Sequence, residues 1–370
     1  VKSENGNAVG MSPGLTGRSF RERFGENRVA LAGLVIIVVL YISAVFAGFF
    51  SPYSPSRQNR AYYYHPPSQI RFIDSTGDFH FRPFIYRTVT VDPSLPRYAE
   101  DESARYPVRF LVRGDEYTVF FIFRSNLHLL GIDEPARLFL LGTDVFGRDV
   151  LSRLLFGSQI SLSIGLVGIA LTFCLGMFLG GISGYFGGVV DVILMRITEL
   201  LMSVPSLYLI LALRTTLPPS IPSTQLYLLI VIILSFIGWA SLSRIIRGMV
   251  LSIREEEYVL AARALGIGSM RIITRHILPN TFSFVIVAAT VAIPGYILGE
   301  VALSFLGFGI QEPQSSWGLM LREAQSIRVL TAYPWILSPG FFIFITVLAF
   351  NFLGDGLRDV FDPRHHGKYL

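Results

Sequence analysis

Apolar runs long enough to cross a bilayer, which takes roughly 20 helical residues, recur six times along the chain. They fall near residues 29–50, 159–186, 189–213, 226–249, 281–308 and 333–353. Between the first and second the texture changes. Residues 69–81 (QIRFIDSTGDFHF) and 108–123 (VRFLVRGDEYTVFFIF) each set two β-prone runs around a Gly/Asp turn, the pattern of a hairpin. In this reading Arg113-Gly114-Asp115 is the second turn. A small β-rich subdomain of about 80 residues is therefore predicted inside residues 51–158.

Composition agrees with spans rather than a soluble core. Hydrophobic residues make up 52% of the 370 and charged residues 15%, where soluble domains carry about 25% charged. The net charge of +5 is modest, and in such a chain basic excess marks one membrane face rather than nucleic-acid contact. Lysine occurs only as Lys2 and Lys368. Neither ends a Gly-rich loop, so no phosphate-cradling motif is predicted and the chain is not expected to hydrolyse ATP itself. No catalytic residue is predicted. Cys174 is the single cysteine. It excludes an intrachain disulfide and a two-Cys metal site, and reads as a small core residue. His65, His80, His128, His276, His365 and His366 do not cluster with acids at metal spacing, so no metal site is predicted.

Basic residues set the topology. Lys2, Arg18, Arg21, Arg23 and Arg28 precede the first span. Arg244, Arg247, Arg254, Arg263, Arg271 and Arg275 surround the fourth loop, and Arg358, Arg364 and Lys368 end the chain. Six spans put all three groups on one face, with both termini cytoplasmic. The first span reads as a retained anchor, since a cleaved signal has a shorter apolar core. The expected organisation is a tail (1–28), a first span (29–50), an extracytoplasmic insertion (51–158), a core of five spans (159–355) holding a cytoplasmic hairpin (254–279), and a tail (356–370).

Several residues within the spans carry information. Gly176, Gly180 and Gly184 recur every fourth residue, a face that lets another helix approach closely. Arg196 and Glu199 stand three apart on one helix, where they can pair, either to fix its orientation or to line a pathway. Glu300 lies near the outer end of the fifth span, after Pro294. It is expected to hold a gate or a broken-helix geometry, or to snorkel to the interface.

The sharpest feature is the polar stretch at 257–280, EYVLAARALGIGSMRIITRHILPN. Glu255, Glu256 and Glu257 favour a helix start. Tyr258, Ala262 and Leu265 then fall on one face, and Ala261 and Ala262 permit close docking. Gly266 and Gly268 stop the helix, Ser269 is placed to cap a second one, and Ile272, Ile273 and Ile277 face inward. Pro279 fits the first turn of the next span. Such a helix is shaped to dock into a groove of another protein. The alternative is an interfacial helix resting on headgroups, against which the Ala/Gly pattern speaks.

This stretch resembles the signature of bacterial ABC-importer permeases, E-A-A, three residues, Gly, nine residues, I-x-L-P. Ala261, Ala262, Gly266, Leu278 and Pro279 match, while Leu260 and His276 replace the usual Glu and Ile. Residues 141–166, 194–213, 300–321 and 351–364 resemble, in order, the dipeptide/oligopeptide (nickel) permease branch and its C-type subunit. The resemblance implies an all-α polytopic membrane protein of six transmembrane helices with the type I ABC-importer permease fold, carrying a small β-rich extracytoplasmic insertion. It implies a bacterial inner-membrane location. It implies a second permease subunit as heterodimer partner, two ATP-binding subunits that use ATP and Mg, and an extracytoplasmic substrate-binding protein. No cofactor is expected on this chain. Coupling to the ATPases would fall to Tyr258, Ala261, Ala262, Arg263, Leu265 and Gly266, with Arg263 supplying part of the polar contact that Leu260 lacks. Peptides are the expected cargo, with nickel or oligosaccharides as alternatives. A secondary transporter or a non-transporting scaffold leaves the hairpin unexplained.

Overall fold

The computed structural model describes residues 24–92, 96–119, 122–216, 218 and 221–361. Lys2, Arg18, Arg21, Arg23, Arg364, His365, His366 and Lys368 lie outside the described residues. Helix α1 (Arg28–Val45) starts at Asn27, whose side chain accepts from the Ala30 amide at 3.0 Å and satisfies one of the orphan donors of a helix start. A further turn, Ala47–Phe50, continues its path. α1 lies antiparallel to the last helix, α8 (Ser338–Phe361). Gly33 faces Ala349 and Phe352, Gly356 faces Ala30, and Asn27 Nδ2 donates to Asp359 Oδ2 at 3.3 Å. The start of the first helix and the end of the last therefore share one end of the bundle.

Helices α2 (Val150–Phe186) and α5 (Ser223–Ile253) form the centre, and they run parallel. Tyr227 donates to Ser163 Oγ at 3.0 Å and Thr172 to the Ser235 carbonyl at 3.3 Å. Further along, Gly176 meets Leu242, Gly180 meets Ser243, and Gly184 meets Val250. Both numbers rise together. Two successive parallel helices need a return path, and α3 (Gly188–Ser203) with α4 (Ser206–Thr215) supplies it, about 39 Å of helix at ~1.5 Å per residue. The predicted span at 189–213 is thus interrupted. Val204 adopts extended geometry, φ −97° and ψ 127°, because Pro205 disfavours helical conformation in the residue before it and brings no N–H. Among the described residues, five unbroken helical stretches are individually long and apolar enough to cross a membrane: Arg28–Val45, Val150–Phe186, Ser223–Ile253, Ser269–Phe305 and Pro334–Phe361. The broken pair α3–α4 is not among them.

Helix α7 (Phe282–Phe305) runs antiparallel to α2 and continues through Pro294. Gly165 touches Ile293 and Ile297, and Gly168 touches Tyr296. On the far side of α2, Cys174 is exposed together with Leu171, Leu175 and Phe178. The expectation of a core cysteine fails because the glycine face of α2, not the Cys174 face, meets the other helices. α2 also begins nine residues before the apolar run at 159. Asp149 caps it, accepting from the Ser152 amide at 2.8 Å and its hydroxyl at 2.5 Å.

The insertion holds a three-stranded antiparallel sheet, β1 (Arg71–Ile73), β2 (Phe79–Asp92) and β3 (Arg97–Pro107), and a separate hairpin, β4 (Arg109–Val119) with β5 (Phe123–Gly131). The first predicted hairpin is present, turning at Gly77 with φ +93°. The second turn is misplaced in the sequence reading. Arg113-Gly114-Asp115 lies within strand β4, where the register shifts between Arg113 and Tyr117. Gly114 packs beneath the His128 ring, and Asp115 accepts from the Ser54 amide at 2.9 Å and pairs with Arg57 at 3.2 Å. These polar residues tie the strand to the segment after α1 instead of turning the chain.

Candidate functional site

Helix α6 (Glu257–Ala264) crosses the end of the bundle where α1 starts and α8 finishes. It ends in a full left-handed cap: the Ile267 amide donates to the Ala262 carbonyl at 3.1 Å, and the Gly266 amide to that of Arg263 at 3.0 Å. Gly266 takes φ +74° with nothing within 4 Å of where a Cβ would stand. The position requires glycine for its backbone, not for space. Gly268 is extended, at φ −62° and ψ 142°, and serves as the next N-cap residue; Ser269 makes no capping hydrogen bond. The predicted Ser269 cap is absent because the second helix starts at Ser269 rather than after it. From Ser269 the chain stays helical to Phe305, through a π turn at Ile273–Ile277 and a 3₁₀ turn at Leu278–Thr281 that contains Pro279. The hairpin's second arm and the span are one rod.

The sidedness of α6 differs from expectation. Val259 and Ala262 are buried with Ile272, Ile273 and Ile277 in a cluster shared with Ile246 and Val250 of α5. Tyr258 and Leu260 are exposed, and Leu265 is 81% exposed. Ala262 therefore does not share a free face with Tyr258 and Leu265; it fastens the helix to its own bundle. Ala261, Arg263 and Gly266 are exposed. The Arg263 guanidinium lies 5.3 Å from the centre of the Tyr185 ring, a cation–π contact that joins α6 to the end of α2. Asn280 Nδ2 donates to the Tyr258 hydroxyl at 3.0 Å. What remains outward is a small apolar surface on a braced helix.

Among the described residues, the bundle opens into at least two grooves. One, of about 370 Å³, is lined by Thr172, Phe173, Gly238, Ser241, Gly295 and Tyr296 among others, and the Thr172 and Tyr296 hydroxyls are hydrogen-bonded to each other. None of these six was singled out from sequence, since small and hydroxyl residues within spans carry no distinguishing spacing. The other, of about 420 Å³, is polar, with Asp191, Arg196, Glu199, Arg244 and Arg247 on its walls. Arg196 and Glu199 do pair, at 2.8 Å, with side chains 76% and 49% exposed. Arg247 grips Asp191 by two hydrogen bonds of 2.5 and 2.6 Å, and Ser183 also donates to it. The glycine stripe of α2 lies against α5. A Cβ on Gly180 would lie 2.5 Å from the Ser243 carbonyl, and one on Gly184 2.8 Å from that of Arg247.

Glu300 neither snorkels nor marks a helix break. It is fully buried, accepting from Ser161 at 3.0 Å and Ser304 at 2.6 Å. Ser304 Oγ in turn accepts from the Ile310 amide, and Ser161 Oγ from that of Trp317. The carboxylate is the hub that fixes the turn after α7 against α2.

At the same end stands a collar that single residues in the sequence do not announce. Arg148 and Arg153, 3% and 2% exposed, converge on the buried Asp144. Arg148 Nη1 and Arg153 Nη2 both reach Glu312, at 2.6 and 2.9 Å, while Glu323 stands 3.9 Å from Arg153. Burial, with the Asp144 charge adding to it and Arg153 opposing, pushes the Glu323 carboxyl up to about 7. Burial likewise raises Asp149 to about 7. Buried guanidinium groups persist only when paired and hydrogen-bonded; here one collar pairs both of them, with Arg148 Nη2 alone of its nitrogens buried and unpartnered.

Residues 176–366 match the family described as binding-protein-dependent transport system inner membrane component. The chain belongs to that family. Residues 16–67 of the permease match the N-terminal transmembrane domain of oligopeptide transport permease C. It is 33% identical to the dipeptide transport system permease protein DppC of Bacillus subtilis over 92% of this chain and 84% of that one. It is also 33% identical to the oligopeptide transport system permease protein OppC of the same organism, over 92% and 88%. To OppC of Haemophilus influenzae it is 42% identical over 60% of this chain and 70% of that one. The permease is a multi-pass membrane protein and a transport subunit.

Proposed function

We propose that this permease is one wall of a peptide translocation path in an ABC importer of a bacterial inner membrane. The observation that carries the reading is the continuity between the hairpin and the groove. The exposed Tyr258, Leu260 and Leu265 belong to a helix braced on the rod Ser269–Phe305, and that rod carries Gly295 and Tyr296 of the apolar groove. A partner gripping the hairpin would tilt the rod and reshape the groove directly. An ATPase groove suits a short helix with an apolar outward face. Two such ATP-binding subunits would hold the ATP and Mg, and this chain would hold no cofactor. A second permease would complete the path as a heterodimer, and an extracytoplasmic binding protein would deliver substrate.

In this reading the hairpin end is cytoplasmic, in keeping with Arg244, Arg247, Arg254, Arg263, Arg271 and Arg275 on that side, and both termini lie there. Arg196 and Glu199 line the cytoplasmic polar groove as gate candidates, while Glu300 holds the outer end rigid. Peptides are the favoured cargo because relatives across most of the chain are named for dipeptide and oligopeptide transport.

The test is uptake by liposomes holding the whole complex with its binding protein. Leu265→Asp should abolish ATP-driven uptake of radiolabelled peptide while the complex still inserts. Undiminished uptake by that variant would refute the coupling role. Mass spectrometry of the molecules retained by the binding protein decides the cargo: bound nickel or oligosaccharide instead of peptide would overturn the peptide assignment alone.

A further inference from the structure

The β4–β5 hairpin breaks a rule of turn chemistry. Hairpin tips are ordinarily built from Gly, Asn, Asp or Pro, whereas the described residues at this tip, Val119, Ile122 and Phe123, are all apolar. The Ile122 amide donates to the Val119 carbonyl at 3.1 Å, closing the turn. Ile122 is 75% exposed and Phe123 67%.

Register and contacts together give the direction in which this tip points. Asp115 receives the Ser54 amide. His128, paired across from Val112, hydrogen-bonds through Nδ1 with the Ser51 carbonyl at 2.6 Å. Tyr117, paired with Ser125, rests on Gly48. Ser54, Ser51 and Gly48 step back toward α1, so the hairpin descends along the outer end of the first span. The Val119–Phe123 pair lies one same-face step beyond Tyr117, about 7 Å further at ~3.4 Å per residue. That step reaches the level of Phe46 and Ile42, which are 41% and 47% exposed on α1. Val119 and Phe123 share the strand face by which Tyr117 rests on Gly48, yet Phe123 finds little protein to cover it.

We propose that the tip of the β4–β5 hairpin enters the lipid bilayer beside α1, anchoring the insertion to the leaflet at that end. The occupant of the gap is acyl chain. The tip is continuous with the lipid-facing side of a transmembrane helix, whose Val35, Val38 and Val39 are also exposed. Side chains of this type bury roughly 5–10 Å into the headgroup and acyl boundary. Tyr117 stands at the interface, where tyrosine is enriched, and the exposed Arg124 sits one residue above the tip, within reach of phosphates. The protein alternative, a partner subunit covering the same side chains, is left to the experiment.

That experiment is site-directed spin labelling of the intact complex in phosphatidylcholine liposomes, in a Cys174→Ser background. Labels at Ile122→Cys and Phe123→Cys are compared with Val39→Cys as a lipid reference and Glu102→Cys as a water reference. Collision with oxygen should exceed collision with a water-soluble nickel chelate at 122 and 123 by several-fold, as at 39. Preference for the chelate, as at 102, would overturn the proposal by placing the tip in water. Low accessibility to both reagents would overturn it in favour of a protein partner. Two tip positions keep the test decisive if one label disturbs the turn.

Discussion

Arg153 and Glu312, separated by 159 positions in sequence, meet at 2.9 Å in a collar where the arginine is 2% exposed and the glutamate side chain 43%. The asymmetry in burial sets an asymmetry in cost. Arg153→Met leaves Asp144 buried without its closest cation and should lose about 3–5 kcal/mol. Glu312→Gln leaves a half-exposed site that water can serve, so its loss should stay near 1 kcal/mol. Thermal denaturation in detergent, followed by tryptophan fluorescence with the buried Trp317 as reporter, orders the two variants. Equal losses would show that the collar is not organised around Arg153.

The glycine stripe gives a paired expectation. Gly180→Ala presses a methyl against the Ser243 carbonyl, which cannot swing aside, and should destabilise by about 1–3 kcal/mol. Gly295→Ala meets nothing within 4 Å, and its gain in helix propensity, up to ~1 kcal/mol, should leave stability level or raised. Denaturation midpoints of the two purified variants check the contrast.

The collar also predicts a pH dependence. Glu323 in the folded protein keeps its proton up to about 7, whereas in the unfolded chain it ionises near the usual ~4.3. Between those values the folded state binds more protons, so its stability falls as pH rises. Glu323→Gln removes that contribution. The midpoint of the variant minus that of the wild type should therefore grow from pH 5 to pH 8. Taking the difference cancels Asp149, raised for the same reason, and His65, which burial lowers to about 4. A flat or falling difference would contradict the assignment.

The two faces of α6 separate folding from coupling. Ala262→Asp buries an unpaired charge among Val259, Ile272 and Ile273 and should lower the yield of folded protein sharply. Leu265→Asp changes a surface position and should cost no more than about 0.5 kcal/mol, while weakening capture of the ATP-binding subunits in detergent pull-downs. Full capture by Leu265→Asp would mean that the grip lies elsewhere.

Much of this was legible in sequence because it depends on local rules. Span length located the helices, four-residue glycine spacing located the face on which α5 packs, and Gly266 announced the left-handed cap. What escaped depends on distant partners. Ala262 looked free until Ile272 and Ile273 folded back beneath it. Glu300 looked able to reach solvent until Ser161 and Ser304 enclosed it. Arg148 and Arg153 acquire meaning only beside Glu312. Arg113-Gly114-Asp115 had the chemistry of a turn, but the descent of β4 past Ser54 and Gly48 required a strand there.

The pairing of α1 with α8 bears on biogenesis. Asn27 and Asp359 are 332 positions apart, so a chain inserted from its N-terminus sets the first helix in the bilayer long before its main neighbour exists. Through most of synthesis the small-residue face at Ala30 and Gly33 is open to whatever else lies in the membrane. Closure of the bundle waits for the last helix, and a nascent chain truncated before Ser338 would leave the anchor without the helix it docks on.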